Sequence, residues 1–451
     1  MAYGDCCSGI PGGGLERNLA SVNAVVAAID PQPEFIAFLG DAISGYVSDY
    51  DQLRKQWEYW LETEMKWVSD RRIPLYQSTS NHNTYDADSE EVFRDVHPHL
   101  PQNGPDGQKG LAYWFRDGNL LYISTHQPHG KMPIDYDWLD RTLAENADAD
   151  FKFVAGHYPV FPVNGYSAYV GWPIWCFPPD ERRPFWDILA KHRVTAYLAS
   201  HVIAFDVQVH DGVLQIVTGG AGTSWGPGGF MPGGTEYFHA VQIAVDEQGL
   251  RYQVHDVDGV VREELSWPPR NARDEEWSPL DNELADAELQ SVDLQREFLV
   301  FRFRGVAGDS HPDAADQTLV CGADANEGVD PLWIGLDGDS GRLKVHLVPV
   351  SGDGWQVWEG PLLKPGTPFD FQVALHPGMG PGGVLYREHP SSQWSTLSST
   401  SSRGSQGLRP VNWFVGEGFS GPTDRPFAGL LESVDYWRCP LVALAEKTRT
   451  Q

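Results

Sequence analysis

The chain has 451 residues, 41% hydrophobic and 21% charged, with 33 basic against 62 acidic side chains and a formal charge of −29. It is too long for one core and too apolar for disorder, so two or three domains are expected. The acidity argues against nucleic acid or an anionic membrane as partner, since both need a basic face, and no apolar run reaches the length of a membrane span.

Residues 1 to 14 are glycine-rich and hold Asp5. Leu15 to Ile29 reads as a helix, with Leu15, Leu19, Val22, Val26 and Ile29 on one face, ended by Pro31. Phe35-Ile36-Ala37-Phe38-Leu39 is then a short apolar run that enters Gly40-Asp41. It reads as a buried strand with a carboxylate at its carboxyl end, where open α/β sheets place ligands. Residues 50 to 69 form a second helix, with Leu53, Trp57, Trp60, Leu61 and Val68 inward. The strand pattern recurs three times: Ile73 to Ser78 leads to Asn81-His82, Phe151 to Gly156 leads to His157, and Thr195 to Ser200 leads to His201. Side by side in one sheet, these ends would bring Asp41, Asn81, His157 and His201 together. A carboxylate, an amide oxygen and two imidazoles suit a divalent transition metal.

Between these strands, His97 to Gly110 reads as a solvated loop carrying His97 and His99. Leu120 to Ser124 is a strand, and His126 and His129 after it are candidates for substrate contact at the rim. Asp137 to Asn146 and Pro184 to Lys191 are helices, and Gly165 to Pro179 is a loop with Tyr166, Tyr169, Trp172 and Trp175. Two hairpins follow His201, one turning at His210-Asp211-Gly212 and one at Glu247-Gln248-Gly249, and both are expected to complete a second sheet.

The order Gly40-Asp41, Asn81-His82, Gly156-His157-Tyr158-Pro159, Ser200-His201 resembles the calcineurin-like metallophosphoesterases of the purple acid phosphatase-like superfamily. The resemblance spans most of residues 1 to 265. It implies a four-layer α-β-β-α sandwich with a two-metal site at one rim, a phosphomonoester or phosphodiester substrate, and attack by metal-activated water. It implies Asp41 as the bridge between metals, Asp5 on the first metal, Asn81, His157 and His201 on the second, and His82 as the acid that protonates the leaving oxygen. The metals implied are Mn, Fe or Zn.

Two blocks depart from the family pattern. Asp5-Cys6-Cys7 stands where Asp-x-His is usual, and Ser200-His201-Val202-Ile203 where Gly-His-x-His is usual. Both missing histidines belong to the first metal, so one tight site and a weak second site are expected, with Cys7 as a candidate thiolate ligand. The acid that usually orients the family's counterpart of His82 is here Asn83, for which Asn83 itself or Asp86 would substitute. These departures leave an alternative: a non-catalytic ligand- or glycan-binding protein with a degenerate phosphoesterase domain. A one-metal hydrolase of another ester is a third reading.

Residues 266 to 283, rich in proline and charge, read as a linker. Beyond it, short strands at Phe298 to Phe303, Leu319 to Gly322, Leu332 to Leu336, Leu343 to Val348, Trp355 to Trp358, Phe369 to Leu375 and Val384 to Arg387 alternate with turn residues, which argues an all-β sandwich over 284–440 before a tail at 441–451. Pro331 to Leu336, Phe427 to Leu431 and Val434 to Trp437 give it a pattern that resembles laminin-G or concanavalin-like jelly rolls, which implies carbohydrate as a ligand. Pro390 to Gln406 reads as an exposed Ser-rich loop. The five cysteines, Cys6, Cys7, Cys176, Cys321 and Cys439, fit no disulfide framework or zinc ribbon, and the first residues carry no signal-peptide pattern. A cytoplasmic protein acting on a small phosphorylated substrate is the expectation.

Overall fold

The computed structural model describes residues 1–130, 132–161, 163, 177–223, 237–247, 249–269, 271–280, 289, 297–309, 315–324, 329–347, 356–375, 384–389, 394–399, 412–417 and 426–440. The aromatic loop expected at 165 to 179 lies outside them through Trp175, as do Trp355 and most of the Ser-rich loop. Two compact units divide the chain: Met1–Val207 with Val213–Glu264, and Leu265–Val442 with Gln208–Gly212. Among the described residues, no helix is long and apolar enough to cross a membrane.

The first unit is mixed α/β, and two of its strands, over Phe205–His210 and Val261–Trp267, end in residues grouped with the second. Its elements run β1 (Ala2–Tyr3), α1 (Gly14–Ala28), β2 (Ile36–Phe38), α2 (Tyr50–Tyr59), a π turn (Trp60–Glu64), α3 (Lys66–Asp70), β3 (Leu75–Gln77), α4 (Ala87–Val96), β4 (Tyr113–Asp117), β5 (Leu120–Ser124), α5 (Tyr136–Glu145), β6 (Phe151–Ala155), α6 (Pro179–Lys191), β7 (Ala196–Ala199), β8 (Phe205–His210), β9 (Val213–Thr218), β10 (His239–Asp246), β11 (Gly249–Asp256) and β12 (Val261–Trp267). The strands form two six-stranded sheets, ordered β12-β11-β10-β1-β2-β3 and β4-β5-β6-β7-β9-β8. The four site strands therefore do not share one sheet, as the sequence pattern alone suggested. Asp41 and Asn81 leave one sheet, and His157 and His201 leave the other.

The sheets touch through aromatic rings and a hydroxyl pair. Tyr76 stacks on Phe115 at 4.0 Å, Phe35 meets Phe115 and Tyr122 edge-on, and Ser78 Oγ lies 3.2 Å from Ser124 Oγ. The hairpins also part company. Asp211 and Gly212 both take left-handed φ (51° and 79°), the type I′ geometry that Asp-Gly favours, and β8 and β9 join β7. The second hairpin instead pairs β10 with β1. Although only two residues long, β1 sits in mid-sheet, parallel to β2 and antiparallel to β10.

Helices follow the apolar pattern with shifted ends. In α1, Leu19, Val22 and Val26 are buried. The expected helix over 50 to 69 is broken by the π turn, closed by Met65 N–H donating to the Trp60 carbonyl. Trp57 and Trp60 are fully buried, as core residues rather than a ligand box. α6 begins at Pro179, five residues before the expected start, because proline suits a first helical position and Pro184 is accommodated within the helix. An inter-sheet cavity of about 350 Å³, walled by Phe35, Leu120, Phe153, Ile243 and Val245, lies away from every candidate metal residue.

The second unit is β-rich, with β13 (Ser278–Pro279), β14 (Glu297–Val306), β15 (Gln317–Asp324), β16 (Val329–Leu336), β17 (Arg342–Leu347), β18 (Gln356–Leu362), β19 (Pro368–Leu375), β20 (Val384–Glu388), β21 (Ser395–Thr396), β22 (Ser398–Ser399), β23 (Asn412–Val415) and β24 (Leu430–Pro440). They form two six-stranded sheets, β13-β24-β14-β19-β20-β21 and β22-β18-β17-β16-β15-β23. Both contribute to one core, with Phe301, Phe303 and Phe371 from the first and Ile334, Val345 and Trp358 from the second. The segment read as a linker is partly built into strands: β12 runs to Trp267 and β13 pairs with β24.

Candidate metal centre

Each expected metal residue lies in the turn just past a strand: Asp5 after β1, Asp41 after β2, Asn81 after β3, His157 after β6 and His201 after β7. Asp5, Asp41 and His201 hold left-handed backbone, with φ of 64°, 50° and 63°. For non-glycine residues this costs on the order of 1–3 kcal/mol each, and such strain gathers at functional turns. Gly40 has φ 97°, and a Cβ there would stand 2.6 Å from both His157 Nδ1 and Ser80 Cβ. The glycine before Asp41 is thus what lets the rims of the two sheets meet.

His157 is the hub, fully buried. Its Nδ1–H donates to the Leu39 carbonyl at 2.8 Å. Its Nε2 lies 2.8 Å from Asn81 Oδ1, 3.0 Å from His201 Nδ1 and 3.4 Å from Asp41 Oδ1. A carbonyl cannot donate, so Nδ1 carries a hydrogen, and the two oxygens facing Nε2 call for a second. Burial opposes the resulting charge, but Asp41 outweighs it and raises the His157 pKa to about 9. Burial likewise opposes ionisation of Asp41, yet His157 and His82 hold that carboxyl well below its usual range.

Asp41, His157 and His201 each offer a ligand atom within 4.8 Å of the other two. With Asn81 Oδ1 they make a set of two oxygens and two nitrogens. Around a tetrahedral zinc with bonds of ~2.0–2.1 Å, ligand atoms stand roughly 3.3 Å apart. The separations around His157 Nε2 need little adjustment to reach that, so the donor set fits a divalent transition metal.

A second group shares Asp41: Cys7, Asp41 and His82 also meet within 4.8 Å. His82 Nδ1–H donates to the Ser44 carbonyl at 2.6 Å, which leaves Nε2 3.9 Å from Asp41 Oδ2. The orienting partner sought at Asn83 or Asp86 is therefore this carbonyl. Asp86 caps α4 and accepts from Tyr50 Oη, and the Asn83 side chain makes no hydrogen bond among the described residues. Asp5 belongs to neither group. Its Oδ2 accepts from the Ser200 hydroxyl and, at 2.6 Å, from the His201 amide. Burial and the neighbouring Asp41 push its pKa up to about 7.

Several supporting residues escaped the sequence reading. Gln127 Oε1 accepts from the amides of His157 and Tyr158, both at 2.8 Å, and so fixes the turn after β6. Ser80 Oγ accepts from the Asp41 amide at 2.8 Å. The π turn delivers Glu64, which accepts from the Ser8 hydroxyl and, at 2.9 Å, from the Gly9 amide, pinning the loop that carries Asp5 and Cys7. The one local signal was the small polar run Ser78-Thr79-Ser80 ahead of Asn81. Other histidines differ from expectation. His97 is buried against Trp57 and Phe93 rather than solvated. His126 is buried with Nε2 3.3 Å from Glu90, so only His129 of that pair reaches the surface.

No family model and no curated protein matches this chain. Solved structures similar to it include GAP50, the anchor in the inner membrane complex of Plasmodium (13% identity, TM-score 0.42, 59% of this chain and 86% of that one). Another is a putative 5′-nucleotidase from Staphylococcus aureus (15%, TM-score 0.35, 61% and 55%). A third is the CBM40 of Ruminococcus gnavus IT-sialidase bound to α2,6-sialyllactose (12%, TM-score 0.27, 37% and 92%). At these identities and TM-scores the likenesses assign no activity.

Proposed function

We propose that the first unit is a metal-dependent phosphoesterase of the calcineurin-like type, a four-layer domain over residues 1 to 265. The observation that carries this reading is the convergence of Asp41, Asn81 and His201 on His157 Nε2 at the rims of two sheets. Asn81, His157 and His201 would hold one metal with Asp41, and Asp41 with Cys7 would face a second, weaker position. A bound divalent ion there supplies Lewis acidity toward a phosphate ester and lowers the pKa of water. The protein's part is orientation. The Leu39 carbonyl fixes the His157 ring, Gln127 fixes the turn that carries it, and Ser80 fixes the Asp41 turn.

His82 is assigned to the leaving group. Held by Ser44 through Nδ1, it keeps Nε2 toward the site, where the doubly protonated ring donates to the departing oxygen. In its neutral form the same Nε2 offers a lone pair, and its place beside Cys7 and Asp41 supports an alternative in which His82 is a ligand in place of the acid. The β-rich unit, read as a jelly-roll sandwich over 284–440, would present carbohydrate-binding surface. Metal counting together with turnover of p-nitrophenyl phosphate and its bis-ester in added Mn²⁺ tests the proposal. Metal retention with no turnover of either ester would favour the binding-protein alternative.

A further inference from the structure

Tyr46 has no assigned part in the metal groups, yet it is an anomaly in its setting. It is a large side chain, 47% exposed, on left-handed backbone (φ 50°). A bulky residue with positive φ is strained and persists only where its surroundings impose it. They do so here. Gly45, also left-handed (φ 61°), leaves no room for a Cβ, which would fall 1.9 Å from the His82 carbonyl oxygen. The Gly45 amide donates to Gln56 Oε1 at 2.9 Å. Tyr85 Oη donates to the Val47 carbonyl at 2.7 Å and accepts from the Val47 amide at 3.2 Å.

The side chain is tied as firmly as the backbone. Asn81 Nδ2 donates to Tyr46 Oη at 3.1 Å, which turns Asn81 Oδ1 toward His157. The phenol's own hydrogen is then left for His129 Nδ1 at 2.8 Å. The ring stands edge-on to His82, with centroids 4.6 Å apart, and flanks Tyr85 at 5.3 Å and His129 at 5.5 Å. One hydroxyl thus orients a metal-site amide, while the exposed ring borders the histidine assigned to the leaving oxygen.

We infer that Tyr46 selects the leaving group: its ring is a stacking face for a planar aromatic alcohol departing from a phosphate ester. The inference rests on the phosphoesterase reading. Groups attached to an oxygen that His82 protonates extend over the neighbouring ring, and an offset aromatic contact favours a planar group over an aliphatic one. Rigid mounting makes the contact selective, because no ordering of the ring is needed when substrate arrives.

The test compares phenyl phosphate with hexafluoroisopropyl phosphate, whose alcohol is close to phenol in acidity but is not planar. Tyr46→Leu should lower kcat/KM for the phenyl ester about three- to tenfold more than for the alkyl ester. Tyr46→Phe should keep the phenyl preference while weakening metal retention, because Asn81 loses its anchor. Circular dichroism checks that both variants fold. Equal losses on both esters in Tyr46→Leu would overturn the inference and leave Tyr46 as an anchor for Asn81 alone. If the wild type hydrolyses neither ester, the phosphoesterase reading falls, and calorimetry on zinc-loaded protein decides Tyr46 separately. Phenylphosphonate binding more tightly than methylphosphonate, with the preference lost in Tyr46→Leu, would retain the stacking face; no preference would remove it.

Discussion

The proton on His157 makes metal affinity a measurable function of pH. In the metal-free protein this ring is doubly protonated up to a pKa of about 9, against burial, because Asp41 Oδ1 stands 3.4 Å from Nε2. A metal ligand must offer a lone pair at that nitrogen, so binding expels one proton below that pH. Affinity should therefore rise about tenfold per pH unit from 7 to about 9 and level off above it, some 100-fold or roughly 2.7 kcal/mol in all at 1.36 kcal/mol per unit. Competition of the full chain against a chelator for zinc at a series of pH values reads this directly, and calorimetry in buffers of different ionisation enthalpy counts the released proton. Asp41→Gln would alter bulk, so Asp41→Asn is the variant of choice. Without the carboxylate, burial is opposed only by Asp5 and the Leu39 carbonyl, and the break should move to lower pH. The same proton stabilises the metal-free fold. Its folded pKa is raised, so that contribution is complete below pH 6.5 and lost as pH rises through about 9. Asp5, raised to about 7, contributes in the same direction between its ordinary value of 3.8 and 7. An affinity that is flat from pH 7 to 9 in the wild type, or a break unmoved in Asp41→Asn, would refute the charge assignment.

Other expectations are simpler to check. Mass-spectrometric metal counting should give about one tight metal per chain, with Cys7→Ser leaving that site intact and weakening only the second; two tight metals in Cys7→Ser would mean another ligand completes the site. Glu64→Ala removes the acceptor of the Ser8 hydroxyl and Gly9 amide, and hydrogen bonds to a charged acceptor are worth ~1.5–3 kcal/mol each. Because Glu64 is half-buried, a loss near the low end is expected in urea unfolding, with weaker metal binding; unchanged stability and metal content would show the loop is held elsewhere. A fragment ending at Pro269 should fold cooperatively and bind metal as the full chain does, and aggregation or loss of metal binding would show that the first unit needs the β-rich unit to fold.

The residues that converge were legible in the sequence because each sits next to a strong local signal. Gly40-Asp41 and Gly156-His157 follow short apolar strands, and strand ends are where side chains can face a common rim. The β-rich second half was legible for a similar reason, since period-two alternation and turn residues act over a few positions. What local pattern could not carry was which sheet each strand enters. That depends on pairing between distant segments, and it placed β10 beside β1 and separated the four site strands into two sheets. Nor could spacing reveal that the Ser44 carbonyl, not a neighbouring acid, orients His82, or that Tyr46 holds the Asn81 amide. Backbone carbonyls carry no sequence identity, and a tyrosine in a loop looks like any other until the fold clamps it. The sequence determined the chemical kinds of ligand available. Tertiary structure decided which atoms face one another, how their charges perturb one another, and that Asp5 turns to Ser200 and His201 while Asp41 is common to both groups.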